Sequence, residues 1–390
     1  MFMKTELSDI EIERYNRHLI IPEVGVEGQQ KLKAARVLIV GAGGLGSPIG
    51  MYLAAAGVGK IGIVDFDRVN LSNLQRQVIF STDDVGKKKT DVMKQRLQKI
   101  NPNIEIKTYD IKLNTENALG IIKEYDVITD GSDNFATRYL VNDACVLLGK
   151  PDVYGSILRF EGQVTVFDSK RGPCYRCLYP EPPAPGSIPT CEEAGVLGVL
   201  PGIIGSIQAN EVIKYIIGKG DLLVGRLMMF DALKMKFKEI TFKKDKNCPV
   251  CGENPTIMKL LDYEALCGSV NGKEQTKNEV SVQSKLEITV DELKRKMDKN
   301  ENIFLLDVRE PFETRIASIG GQLIPLGQLP ERLHELNKDD EIVIYCHTGV
   351  RSLYVAKFLK DKAGFKNAVS LHGGINEWSE KIDSSIKKYQ

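Results

Sequence analysis

Short β-branched runs ending in glycine or aspartate alternate with longer helical patterns along the first part of the chain. Val37–Val40 is one such run, closed by glycines and followed by a helix-like stretch from Ser47 to Ala56. Ile61–Val64 predicts the next strand, and Tyr125–Thr129 a later one ending at Asp130. Strands alternating with helices argue for a mostly parallel sheet covered on both faces. Two stretches break the pattern. PEPPAPGSIP, residues 180–189, has five prolines in ten residues, which excludes regular structure and predicts an exposed crossover loop. CGSVNGKEQTKNEVSVQSK, residues 267–285, has almost no large apolar side chains and predicts a linker. Beyond it, ITVDELKRKM, IFLLDVRE, EIVIYCHTG and RSLYVAKFLK predict helix, strand, strand and helix of a second, smaller α/β domain. The expected organisation is one domain over residues 1–266, a linker over 267–285 and a second domain over 286–390.

Composition narrows the class. Lysine and arginine total 53 against 52 acidic residues, so charge gives no footprint for nucleic acid. No run approaches the roughly 18 apolar residues that a membrane span needs. The opening MFMKTELSDIEIERYNRHLI is charged and amphipathic rather than a secretory signal, which leads to the expectation of a cytoplasmic protein. Eight cysteines in a long chain of this kind predict metal ligands or nucleophiles before a disulfide framework.

The first chemistry lies in VLIVGAGGLGS, where Gly41, Gly43, Gly44 and Gly46 stand between a strand and a helix. Glycines let the backbone approach phosphates, and the helix N-terminus offers N–H groups and a positive dipole end. Asp65, at the tip of the second strand, can accept from ribose hydroxyls. Alone, this fits any dinucleotide site, NAD included. DFDRVNLSNLQRQ then brings Ser72, Asn73, Leu74, Gln75 and Arg76; Lys87, Lys88 and Lys89 follow, and ITDGSDNFATR adds Asp130, Asp133 and Asn134. Cations and a carboxylate around a glycine loop suit a triphosphate with Mg²⁺ better than a nicotinamide. Solvated loop charges are the plainer alternative for the lysines.

The cysteines sort by context. Cys174-Tyr-Arg-Cys177 and Cys248-Pro-Val-Cys251 are two C-x-x-C pairs separated by 70 residues, suited to tetrahedral zinc that would pin distant segments together. A redox pair or coincidence are the alternatives. Cys191, in IPTCEEAGV after the proline-rich loop, is either an accessible nucleophile or an inert buried thiol. Cys145 lies in an apolar helical run and is expected in the core. Cys346 opens CHTGVRS between the strand EIVIY and a helix, with four residues between it and Arg351. Loop N–H groups, the helix N-terminus and Arg351 would favour an anionic sulfur there. Phosphatase loops hold five intervening residues around a larger phosphoryl group, so the shorter loop favours sulfur transfer.

GAGGLGS, DFDRVNLSNLQRQ, SDNFATR, the CYRC and CPVC pairs and TCEEAGV together resemble the adenylyltransferases of the MoeB/ThiF type, relatives of the ubiquitin-activating enzymes, over about residues 8–266. DVREPFE, CHTGVRS and LHGGINEWSEKID resemble rhodanese. The combination resembles the two-domain adenylyltransferase–sulfurtransferases of the MoeZ and MOCS type. Residues Ile316–Gly321 read IASIGG where many rhodaneses have Gly-His-Ile-Pro-Gly-Ala, a segment that is structural in the family.

The resemblance implies a Rossmann-like ThiF/MoeB fold with a structural zinc site on Cys174, Cys177, Cys248 and Cys251, followed by a smaller α/β rhodanese fold. It implies an ATP site holding Gly43, Gly44, Asp65 at the ribose, the Ser72–Gln75 segment, Asn73, Arg76 and Lys89 at the phosphates, and Asp133 with Asn134 at Mg²⁺. Arg17, in RYNRH, would complete the site of a partner subunit, so a homodimer is implied. The substrate would be a small ubiquitin-like sulfur carrier ending in Gly-Gly. Its glycine would be adenylated and then loaded with sulfur from a persulfide on Cys346, supplied by a persulfide protein or thiosulfate. Cys191 would link covalently to the carrier. Molybdopterin, thiamine, cysteine and tRNA thiolation all draw on such carriers. Two other classes are set beside it: an NAD-binding oxidoreductase with a fused redox module, and a non-catalytic scaffold that docks ubiquitin-like proteins.

Overall fold

The computed structural model describes residues 6–183, 194–267 and 286–388. Its contacts fall into two units, within Met1–Val270 and Asn271–Gln390. The first contains α1 (Asn16–Leu19), β1 (Arg36–Val40), α2 (Gly46–Ala56), β2 (Lys60–Val64), α3 (Lys89–Ile100), β3 (Glu105–Tyr109), β4 (Val127–Asp130) and α4 (Phe135–Leu148). It continues with β5 (Asp152–Leu158), β6 (Glu161–Phe167), α5 (Tyr175–Leu178), α6 (Leu200–Ile217), β7 (Arg226–Asp231) and β8 (Lys236–Thr241).

Side chains of a strand alternate between faces, and β1 is apolar on both. Val37 and Ile39 enter a core with Ile61, Ile63, Ile49, Leu53 and Ile204, while Leu38 and Val40 enter another with Ile128, Tyr139 and Leu140. Such a strand belongs at the centre of a covered sheet. The eight strands run in the order β3-β2-β1-β4-β5-β6-β7-β8. β3, β2, β1, β4 and β5 are parallel, and the order reverses at β1, which pairs with both β2 and β4. A crevice opens at the carboxyl ends of the strands flanking such a switch.

Two differences from the sequence reading have local causes. The predicted mostly parallel sheet gains three antiparallel pairings, β5–β6, β6–β7 and β7–β8. Only Arg159 and Phe160 separate β5 from β6, and a connection that short can return only antiparallel. Tyr125, read as the first residue of a later strand, sits in the turn before β4, its backbone N–H on Ile122 O. Its ring fills the space above Gly62 of β2, where an added Cβ would lie 2.3 Å from the tyrosine hydroxyl.

The second unit contains β9 (Glu287–Ile288), α7 (Val290–Asp298), β10 (Ile303–Asp307), α8 (Pro311–Ile316), β11 (Gln322–Leu323), β12 (Glu341–Tyr345), α9 (Val350–Asp361), β13 (Ala368–Leu371) and α10 (Gly374–Lys381). Its five-stranded parallel sheet runs β11-β10-β12-β13-β9. Ile342 and Ile344 of β12 pack on one side with Val355 and Leu359, while Val343 and Tyr345 pack on the other with Ile375 and Trp378. β12 is therefore central, and the loop leaving it carries Cys346.

Candidate functional site

At the switch point, the chain leaves β1 through Gly41, whose φ of +93° would strain any other residue. Its carbonyl is so close to Gly46 that a Cβ there would approach to 2.0 Å, so the first residue of α2 must also be glycine. The crevice above this loop has a volume of about 180 Å³ and is open to solvent. Its walls include Gly43 and Gly44 from the loop, Asp65 from the end of β2, and Arg76, Lys89, Asp133 and Asn134. Five separate segments thus converge on one cleft.

Each wall residue is held by its neighbours. Asp65 accepts the Ala42 N–H at 2.7 Å and the Asp67 N–H at 2.8 Å. Burial pushes its carboxyl above the ordinary value, against the pull of the Lys89 charge. Lys89, the buried first residue of α3, donates to Asp67 at 2.8 Å. Its neighbours in the lysine run have partners outside the cleft: Lys87 meets Asp84, and Lys88 meets Asp110. Arg76 donates to Ser72 O at 2.9 Å, and Asn134 caps α4 by accepting the Thr137 N–H. Asp133 is exposed at the rim beside it.

The rest of the predicted nucleotide set supports the wall. Asn73 accepts the Asn70 N–H, Leu74 packs on the core, and the Gln75 carbonyl stands against Gly198. Arg17 is exposed on α1 and is not part of this cleft. Sequence reasoning passed over three wall residues with buried polar atoms and no partner among the described residues: Gln77 Oε1, Ser132 Oγ and Arg138 Nε. Buried polar atoms of this kind are costly unless something polar meets them, so the cleft suits a polar ligand such as a nucleotide. Arg138 was visible in the SDNFATR motif, but nothing in its spacing separates it from a surface arginine.

The cysteine pairs meet. Cys174 Sγ lies 3.9 Å from Cys177 Sγ and 3.6 Å from Cys248 Sγ, and Cys177 Sγ lies 3.4 Å from Cys251 Sγ. All four sulfurs fall within 4.8 Å of one another. Four sulfurs about 2.3 Å from a common centre would sit about 3.8 Å apart, so the cluster fits a tetrahedral ion such as zinc. The first knuckle is tied to α4 by a buried pair: Arg176 Nε and Nη2 donate to Asp143 at 2.8 and 2.9 Å, and the Tyr263 hydroxyl donates to the same carboxylate at 2.7 Å. Cys145 is buried in the core, as expected, and burial holds its thiol neutral. Cys191 lies outside the described residues.

In the second unit, Cys346 follows β12 and is 1% exposed. Its sulfur accepts the Gly349 N–H at 3.2 Å and the Ser352 N–H at 3.4 Å. Gly349 caps α9 with φ +93°, which turns these donors inward. The N-terminus of α10 clamps the loop from beneath, with the Ile375 N–H on Cys346 O and the Asn376 N–H on His347 O. Gly374 permits that approach, since a Cβ there would lie 2.5 Å from Cys346 O. Arg351 donates to both oxygens of Glu313 at 2.7 Å. Glu313 was in the quoted DVREPFE motif, yet no spacing rule connects it with a residue 38 positions on.

Among the described residues, no helix is long and apolar enough to cross a membrane. Residues 15–250 match the ThiF family model and residues 289–381 the rhodanese-like domain model. The chain is 48% identical to the probable adenylyltransferase/sulfurtransferase MoeZ of Mycobacterium tuberculosis, over 98% of this chain and 96% of that one. It is 53% identical to a sulfur carrier protein adenylyltransferase of Thermus thermophilus over 66% of this chain and 97% of that one. The adenylyltransferase and sulfurtransferase MOCS3 of Culex quinquefasciatus shares 40% identity over 99% and 91%. Among solved structures, Escherichia coli MccB with ATP is similar at a TM-score of 0.53 and 27% identity, covering 58% of this chain and 69% of that one.

Proposed function

The chain belongs to the ThiF family and carries a rhodanese-like domain, and we propose that it adenylates the C-terminal glycine of a small sulfur-carrier protein and then sulfurates it. One observation carries this reading: Asp65, Arg76, Lys89 and Asp133, from four separate segments, line a single cleft above the glycine loop, in a chain whose Cys346 sulfur accepts two loop N–H groups. The relatives named as sulfur-carrier adenylyltransferase and adenylyltransferase/sulfurtransferase support it.

The glycine carboxylate attacks the α-phosphorus of ATP, and the bond to pyrophosphate breaks. An anion approaches an anion, so the barrier is largely electrostatic, and Arg76 and Lys89 neutralise charge on the leaving pyrophosphate. No general base is required, because the carboxylate is already ionised at pH 7. Lys89 must exchange its Asp67 partner for phosphate, which couples nucleotide entry to a local switch of ion pairs. Mg²⁺, held at Asp133, would screen the phosphates when bound. Zn²⁺ on the four cysteines would brace the fold.

The outer sulfur of a persulfide on Cys346 then attacks the acyl carbon and AMP leaves, giving an acyl disulfide. A second thiol, Cys191 in this reading, attacks the Cys346 sulfur: the bond between the two sulfurs breaks, the carrier leaves as its thiocarboxylate, and an external dithiol reduces the Cys191–Cys346 disulfide that remains. The protein works as a homodimer in the cytoplasm, with Arg17 reaching the partner's cleft. The product supplies sulfur to pathways such as molybdenum-cofactor biosynthesis.

Pyrophosphate exchange into ATP tests the reading. Exchange should require a small protein ending in Gly-Gly and should fall at least about 100-fold in Asp133→Ala. Binding of NAD in place of ATP, or carrier binding without exchange, would instead support an oxidoreductase or a docking scaffold.

A further inference from the structure

Two serines behind the sulfur loop have no part in the chemistry so far. Ser352 Oγ lies 3.5 Å from Cys346 Sγ and 3.0 Å from Gly349 O, while Ser370 Oγ lies 2.8 Å from Ser352 Oγ and 3.4 Å from Gly349 O. Ser352 and Ser370 are 0% exposed, so no solvent serves them.

A serine hydroxyl has one proton to give. That of Ser352 can point to Gly349 O, the local back-bond common in a first helical turn, or to the cysteine sulfur. The carbonyl does not depend on it, because Gly349 O already accepts the Leu353 N–H at 3.0 Å. The acceptor that changes is the sulfur. A neutral or persulfurated Sγ is a weak acceptor, whereas a thiolate is a charged one and draws a stronger bond. Ser370, donating to Ser352 Oγ, keeps the relay satisfied in both settings.

We propose that Ser352 is a further catalytic residue of the sulfur loop, its hydroxyl turning from Gly349 O onto the Cys346 thiolate, with Ser370 as its positioning residue. The inference rests on the reading of Cys346 as the sulfur-bearing thiol. The step served is loading: the Cys346 thiolate attacks the outer sulfur of a donor persulfide RSSH, a new sulfur–sulfur bond forms, the donor's own bond breaks, and RS⁻ leaves with the electron pair. With thiosulfate as donor, sulfite leaves instead. Ser352 Oγ is a third donor beside the two N–H groups, and it meets the charge carried by the attacking sulfur.

The test uses the full-length chain. Alkylation of Cys346 by iodoacetamide is followed by mass spectrometry of its peptide from pH 5 to 10, and sulfur uptake from thiosulfate by intact mass. Ser352→Ala should move the alkylation midpoint upward by about one pH unit and slow uptake about tenfold at pH 7. Ser370→Ala should move both in the same direction by less. A midpoint unchanged in both variants, with wild-type melting, overturns the role of the serines. A wild-type chain that takes up no sulfur on Cys346 overturns the underlying reading of the loop instead.

Discussion

Arg351 and Glu313 form a two-pronged ion pair of 2.7 Å and 2.7 Å, with side chains 15% and 6% exposed. The sequence suggests a guanidinium directed at the sulfur anion. The structure gives it a nearly buried carboxylate, and the donors on Cys346 Sγ come from Gly349 and Ser352. Arg351 therefore fixes the start of α9 to α8. Its replacement by alanine removes the cation from a nearly buried carboxylate that also accepts the Glu310 N–H at 2.9 Å, and should destabilise the second unit by about 3 kcal/mol. The double variant with Glu313→Ala should recover part of that loss. Urea unfolding of the four chains in the cycle measures it.

A zinc ion should occur once per chain on Cys174, Cys177, Cys248 and Cys251. The knuckles join the end of the sheet to the segment after β8, so strong chelation should lower the melting temperature of the first unit and free four thiols to titration. Metal analysis finding no zinc in freshly purified protein would refute this.

Asp152 gives a prediction on pH. It is 2% exposed, its Oδ1 has no partner among the described residues, and burial followed by the nearby Asp130 carboxylate drives its pKa well above the ordinary value. A carboxyl whose folded value is raised contributes stability below its unfolded value near 4, lost as pH rises through the folded value. At pH 8 the folded chain must either hold a proton that the unfolded chain releases or bury a charge. Asp152→Asn should thus raise the melting temperature at pH 8 by about 2–4 °C, with the gain shrinking towards pH 5. A loss at both pH values would mean that the carboxylate makes a bond worth more than its burial costs.

Much of this was legible because local patterns and local chemistry agree. The β-branched run Val37–Val40 predicts a strand, and the glycines after it a turn that phosphates can approach. What stayed hidden needs distance. Nothing local connects Arg351 with Glu313, Ser352 with Ser370, or Arg176 with Asp143, since each pair joins elements that the sheet order alone brings together. The antiparallel strands β6–β8 lie beyond the last strand read from the first domain's sequence, after a two-residue turn at Leu158 that reverses the chain.

The two half-reactions should separate cleanly at Cys346. Among the described residues, those lining the cleft above the glycine loop run from Val40 to Val196 and belong to the first unit, whereas Cys346 belongs to the second. Adenylation should then be indifferent to Cys346, whereas sulfur transfer should depend on it wholly, because a hydroxyl cannot carry sulfane sulfur. Cys346→Ser should keep carrier-dependent pyrophosphate exchange within about twofold of wild type. The same chain, given ATP, carrier and thiosulfate in sulfide-free buffer, should yield no thiocarboxylate. Serine fills nearly the volume of cysteine and accepts from the same Gly349 and Ser352 N–H groups, so loss of product would not reflect a collapsed loop. Intact mass of the carrier reads the result, since sulfur in place of oxygen at the terminal glycine adds about 16 Da. Thiocarboxylate formed at the wild-type rate by the serine chain would remove the second unit from the reaction.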